Sequence, residues 1–336
     1  MSNLDSSPTE TRLGDVPQQA GAPGAGSPDT AGRGPIARTL AAREVPLGGP
    51  RAMRVRRTLP SRGRTTIGAW CFVDQYGPAR GERVMVVPPH PHTGLQTVTW
   101  LVGGEALHHD SVGSEQTISP GQLNLMTSGH GVSHGEQSLA GDGTPLHGVQ
   151  LWVALPEEHR HQAPHFEHHA DLPVAERQVD GVDVRTTVLV GTHDGLTSPA
   201  AAYTPLVGAE VRTSGPVRLR LPLEPAFEHG LLLVAGACEV EGERPDAGDL
   251  VDLGDDRDDV VVEVGEASTL LLLGGAPFGE QLVMWWNFVG RTHEEVAAAR
   301  AAWQEREERF GTVPGWEPES WLRAPELPNV RLRPRG

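Results

Sequence analysis

The sequence indicates an all-β protein, built as two tandem antiparallel β-barrels with one short C-terminal helix. Three observations carry that reading. First, 41 Gly and 29 Pro are spread over 336 residues, and the apolar residues between them fall into short runs of strand length. Second, the order strand, turn, strand occurs twice, with "PGQLNLM" in the first half echoed by "AGDLVDL" in the second, the pattern an internal duplication leaves. Third, helical spacing is sustained only in "RTHEEVAAARAAWQEREERF".

Taken in order, residues 1 to 34 are almost wholly small or polar. Such a segment cannot bury enough apolar surface to offset its ordering entropy, and a disordered tail is expected there. From about Arg51 the runs "TIGAWCFVDQYGP", "RVMVVPP", "LQTVTWLVGG", "ISPGQLNLMTSG" and "HGVQLWVAL" supply the strands of the first barrel. A polar, His-rich connection from Pro156 to Glu176 leads to "RTTVLVG", "VRLRLPL", "HGLLLVAGACEVEGE", "AGDLVDLG" and "DVVVEVGEASTLLLLGG", the strands of the second. In the helix, Thr292 and Glu295 have capping-box spacing, and Val296, Ala299, Trp303 and Phe310 mark one apolar stripe. Beyond it, Trp316 and Trp321 lie in a Pro-rich stretch that reads as an extended tail pinned by its aromatics.

Composition removes several classes of function. A formal charge of −16 argues against a nucleic-acid partner, and the basic cluster Arg51 to Arg64 reads as the solvated face of a strand and turn. All 28 basic residues are Arg, so lysine Schiff-base and lysine-base chemistry is excluded. Cys71 and Cys238 each sit in an apolar run and read as buried thiols, neither a disulfide nor a thiolate metal cluster. No apolar run approaches the roughly 18 to 20 residues of a membrane span, and the first residues lack a signal-peptide pattern, so a cytoplasmic protein is expected.

The histidines carry the chemistry. In a strand, residues i and i+2 share a face, so His90 and His92 in "VVPPHPHTG" project side by side. About forty residues later, "SGHGVSHGEQ" repeats that spacing with His134 and Glu136. If the two strands are neighbours, three imidazoles and one carboxylate converge, a set that suits iron, manganese, cobalt, nickel or copper and leaves coordination positions open. His108 and His109 read as part of a polar turn, His147 as preceding a strand, and His159, His161, His165, His168 and His169 as a solvated connection. The second barrel has only His229 near its strands, which implies no metal site of its own.

With those residues identified, the chain resembles the pirin family of the cupin superfamily. The resemblance runs through "LPSRGRTTIGAWCFVDQYGP", "HPHTGLQTVTWLVGGEALHHDS", "PGQLNLMTSGHGVSHGE", "HGVQLWVALP" and "GEQLVMWWNFVGRTHEEV". It implies a bicupin with two jelly-roll barrels, and a metal bound only in the N-terminal one through His90, His92, His134 and Glu136. Fe(II) is the first expectation, with Mn, Co, Ni, Cu or Zn as alternatives. Quercetin 2,3-dioxygenase activity on a flavonol-like substrate with dioxygen is implied, with Glu136 as both ligand and general base. A metal- and redox-dependent regulator that binds a protein partner is the other function found in the family. The expected organisation is a tail at 1–36, a metal-binding barrel at 37–170, a second barrel at 171–312 with the helix at 293–310, and an extended tail at 313–336. The chain departs from the family pattern at Gln75, Thr93, Gln96 and His130. Gln96, at an even offset from His92, is expected to face the ligand cavity.

Overall fold

The computed structural model describes residues 34–47, 53–81, 85–139 and 143–336. The tail expected at the N-terminus lies outside these residues except for its last three. The first half contains β1 (Pro35–Leu40), β2 (Arg43–Leu47), β3 (Met53–Leu59), β4 (Trp70–Ala79), β5 (Val86–His92), β6 (Leu95–Gly103), β7 (Ala106–Asp110), β8 (Glu115–Ile118), β9 (Leu123–Thr127), β10 (Val132–Ser138), β11 (Leu146–Ala154) and β12 (His165–His169). The second contains β13 (Val174–Val179), β14 (Val182–His193), β15 (Leu196–Thr197), β16 (Leu206–Thr213), β17 (Val217–Pro222), β18 (Glu228–Ala235), β19 (Cys238–Val240), β20 (Leu250–Gly254), β21 (Asp259–Val264) and β22 (Ser268–Gly275). A hairpin of β23 (Val283–Trp285) and β24 (Phe288–Gly290) then leads to α1 (His293–Gln304).

Each half is a jelly-roll of two facing sheets, not a barrel with a continuous ring of strand hydrogen bonds. In the first, the sheet β12-β9-β6-β11-β4-β3-β2 faces β5-β10-β7-β8. In the second, β1-β20-β18-β22-β16-β14-β13 faces β17-β21-β19. The strand β1 crosses over, since Thr39 and Leu40 pair with Val251 and Leu250. The boundary expected between residues 36 and 37 therefore falls inside a strand of the second half's large sheet.

Strand alternation sorts the apolar side chains into three layers. Val55, Tyr76, Val87 and Leu101 fill the first jelly-roll, and Leu219, Leu231, Val262 and Leu272 fill the second. The opposite faces of the two large sheets meet through Trp70, Val98, Trp100 and Leu151 against Leu189, Leu232, Leu271 and Leu273. Polar contacts also cross this layer. Trp70 Nε1 donates to the carbonyls of Val207 and Gly274, both at 3.1 Å, and Trp100 Nε1 donates to Glu210 at 2.8 Å. Backbones approach closely here too: a Cβ on Gly68, which has φ +50°, would lie 2.6 Å from Gly275 Cα.

Several local expectations are corrected. Arg57 and Arg64 are buried, paired with Asp74 and Glu228, so the basic cluster is not simply a solvated face. His165 to His169 form an edge strand on β9, and His108 and His109 lie within β7. The helix capped by Thr292 ends at Gln304, because Arg306 takes φ +57° and the N–H groups of Arg306 and Glu307 turn back to the carbonyls of Trp303 and Ala302. Phe310 follows in a 3-10 turn and packs on Trp303. Both thiols are free and buried, and burial pushes Cys71 up to about 12 and Cys238 up to about 11. Among the described residues no helix is long and apolar enough to cross a membrane.

The layer between the halves predicts a specific stability loss. Trp70→Ala empties its centre and removes two cross-layer hydrogen bonds, so the unfolding free energy in urea should fall by about 3–5 kcal/mol. A loss below about 1 kcal/mol would mean that the two large sheets do not depend on each other.

Candidate metal centre

The short segment "PPHPH" can be a strand because β5 is at the edge of its sheet and pairs only with β10. Prolines are tolerated there because the missing N–H groups face no second neighbour. Antiparallel pairing sets His134 opposite His90 and Val132 opposite His92. The register then shifts before Glu136, which lies opposite Val87. Glu136 still lies beside His134 across this shift.

His90, His92 and His134 come together, with one donor atom from each lying within 4.8 Å of the others. Glu136 instead groups with His134 and His108. All five residues are buried, the three imidazoles completely. His90 Nδ1 lies 2.8 Å from the Pro88 carbonyl, which can only accept, so the proton sits on Nδ1 and Nε2 keeps its lone pair. His92 Nε2 and His134 Nε2 face each other at 3.1 Å. That spacing suits two adjacent donors on one ion with bonds of about 2.0–2.1 Å.

Burial disfavours charge on all three rings. It lowers His90 to about 4 against the weaker pull of the Pro88 carbonyl and of Glu136, and it holds His92 and His134 well below the usual histidine range, with further repulsion from His90. Burial alone would raise the Glu136 carboxyl, but nearby positive charge outweighs it and holds the group below its usual value. The centre therefore presents neutral nitrogen donors beside an anionic carboxylate, the protonation state that a divalent cation requires.

The surroundings combine aromatic and charged packing. The Trp152 ring stands edge-on to His92 at 5.3 Å between centroids and stacks on Phe72 at 3.9 Å. On Phe72 lies the guanidinium of Arg57, bound through two hydrogen bonds to buried Asp74. Tyr76 is also buried, and both burial and the nearby Glu136 charge push its hydroxyl well above its usual value. Outside the ligand strands, the Trp316 ring lies against Gly135, where a Cβ would come within 2.8 Å of the indole. Leu322 N–H donates to the Pro89 carbonyl, so the C-terminal tail covers the outer side of this sheet.

Gln96 does not face the cavity. The turn at Thr93 and Gly94 resets the alternation, and Gln96 bonds Thr127 and the Ala201 carbonyl on the side facing the second half. Thr93 and His130 line a separate cleft of 210 Å³ with Arg160, His161 and Arg309. Sequence reasoning missed His108 and Asp110, whose i, i+2 spacing on β7 is the same signal it used elsewhere. In the second half, β17 pairs with β21 as β5 does with β10, but Leu219 faces Val262 and Leu221 faces Val260. Among the described residues no further cluster of three potential ligands occurs.

Family comparison agrees with this duplicated architecture. The model described as Pirin matches residues 52–153, and that described as Pirin C-terminal cupin domain matches residues 208–311. The chain belongs to the pirin family. It is 47% identical over 291 residues to the Pseudomonas aeruginosa protein named "Putative quercetin 2,3-dioxygenase PA1205", covering 86% of this chain and 90% of that one. Human pirin is 26% identical over 273 residues, covering 79% of this chain and 91% of its own. Among solved structures, a quercetin 2,3-dioxygenase from Acinetobacter baumannii superposes with a TM-score of 0.81 at 40% identity, covering 89% of this chain and 97% of that one. This pirin is thus an all-β bicupin with a His and Glu cluster able to hold a divalent metal in its first cupin domain.

The depressed histidines give the metal-free protein a defined acid response. His90 and His229 are both lowered to about 4 by burial, against 6.5 for the free side chain. The unfolded chain takes up these protons first, so stability should fall as pH drops from 6.5 to 4, by up to about 3 kcal/mol for each residue. Urea midpoints across that range should decline, and His229→Leu should flatten the decline. A midpoint that rises on acidification would contradict the neutral burial of these two rings.

Proposed function

We propose that this pirin is a metal-dependent dioxygenase of the quercetin 2,3-dioxygenase type, acting on a flavonol-like substrate with dioxygen. The convergence of three neutral imidazole donors without any thiolate carries this reading. His90, His92 and His134 would hold one divalent ion, Fe(II) first among those suited to nitrogen and oxygen donors, and Glu136 would complete the set or stand beside it. When bound, such an ion supplies Lewis-acid polarisation of a coordinated oxygen and a place for dioxygen.

The remaining roles belong to the protein. Glu136, buried beside His134 and held below its usual carboxylate range, would accept the proton of a flavonol hydroxyl. The Trp152 ring, stacked on Phe72 and edge-on to His92, would hold that imidazole in place from behind. Burial keeps bulk water from these side chains and strengthens each electrostatic contact among them. The name carried by the Pseudomonas and Acinetobacter relatives supports the same reaction class.

Metal analysis and oxygen uptake test the proposal together. The parent should retain about one ion per chain after dialysis and consume dioxygen with quercetin. His92→Ala should lose the metal and the activity in parallel. Glu136→Gln should keep part of the metal while turnover falls by about 10²–10⁴-fold, the usual contribution of a positioned proton acceptor. A Gln variant as fast as the parent would remove the base role. A metal-loaded parent that consumes no dioxygen with any flavonol would replace the enzyme with the other family function, a metal-dependent regulator that binds a protein partner.

A further inference from the structure

We propose that Asp110 and His108 form a positioning chain that fixes His134 as an Nε2 donor and strengthens it. The inference rests on the metal reading above. The strand β7 lies beside β10, with Asp110 opposite His134 and His108 opposite Glu136. Both side chains are buried and lie on one face of β7. His108 stacks on Phe166 at 4.6 Å between centroids, which sets the plane of its ring.

The carboxylate is held at both oxygens. Asp110 Oδ1 accepts the N–H groups of Val112 at 3.0 Å and Ser114 at 2.9 Å, and Oδ2 lies 3.1 Å from His108 Nε2. An ionised carboxylate only accepts, so the His108 proton sits on Nε2 and its Nδ1 keeps a lone pair. That lone pair faces His134 Nδ1 at 3.3 Å. His134 accordingly carries its proton on Nδ1 and donates it to His108, which leaves His134 Nε2 unprotonated toward His92 Nε2. The tautomer of a ligand is thus imposed from outside the centre, and the buried negative charge at the end of the chain raises the donor strength of His134. Behind His90 Nδ1 lies the neutral Pro88 carbonyl.

The alternative, His108 as a direct ligand, competes with this arrangement. His108, His134 and Glu136 also lie within donor reach of one another. His108 Nε2, however, is already taken by Asp110, and an ion at His108 Nδ1 would occupy the nitrogen of His134 that faces away from His92. The two arrangements use opposite nitrogens of one ring, so they can be told apart.

The test uses the full-length protein, stripped with chelator and titrated with Co(II) as a spectroscopic probe against a competing chelator. His108→Phe keeps the stacking on Phe166 but offers His134 no acceptor, and Co(II) affinity should fall about 10–100-fold. His108→Gln supplies an amide oxygen for His134 and an amide N–H for Asp110, so it should recover much of that loss with the visible bands of the parent, because the donor set is unchanged. Parent-like affinity in His108→Phe would overturn the positioning role. A Gln variant as weak as the Phe variant, or with bands showing a lost nitrogen donor, would overturn it too. A parent that binds no Co(II) would instead overturn the metal reading on which the chain depends.

Discussion

The antiparallel pairing of β5 with β10 is the contact on which the centre depends. One hydrogen-bonded register sets His134 opposite His90 and brings His92 beside them, and a one-residue slip would turn an entire ligand set to the other face. The surrounding packing holds that register from both sides. Apolar residues of the large sheet press on its inner face, while Trp316 and the tail around Leu322 lie on its outer side. The Gly between His134 and Glu136 is part of the same device, since any side chain there would displace the Trp316 indole.

The two halves share a plan and differ in what it holds. Burying neutral imidazoles and a carboxylate in a jelly-roll interior is costly without a partner cation. The second half avoids that cost by placing Leu219, Leu221, Val260 and Val262 where the first has the His and Glu cluster, and its large sheet packs against that of the first. Two of its histidines are buried, His229 as expected and His193 at the end of β14, which the sequence reading overlooked, and burial lowers both. The two duplicated units are joined through Trp70, Trp100 and the apolar layer around them.

Much of this was legible in the sequence because a period of two is a local property. His90 with His92, and His134 with Glu136, announce their common faces within three residues each. Short runs between Gly and Pro likewise gave the strands, and Thr292 the helix start. What failed depends on contacts between distant segments. Gln96 was placed by counting through a turn that resets alternation at Gly94. His108 looked like a turn residue because only its pairing to β10 makes it part of the centre. The register shift among the prolines of β5, which sets Glu136 opposite Val87, is likewise not revealed by periodicity alone. Arg57 was read as solvated because its partner Asp74 lies on the next strand.

Anomalous diffraction from a crystal loaded with Fe(II) under anaerobic conditions would locate the ion itself. The geometry described here places a single strong peak per chain in the first cupin domain, bonded by the Nε2 atoms of His90, His92 and His134, with none in the second. A peak bonded through His108 and the Nδ1 of His134, or one inside the second cupin domain, would be incompatible with this account of the centre.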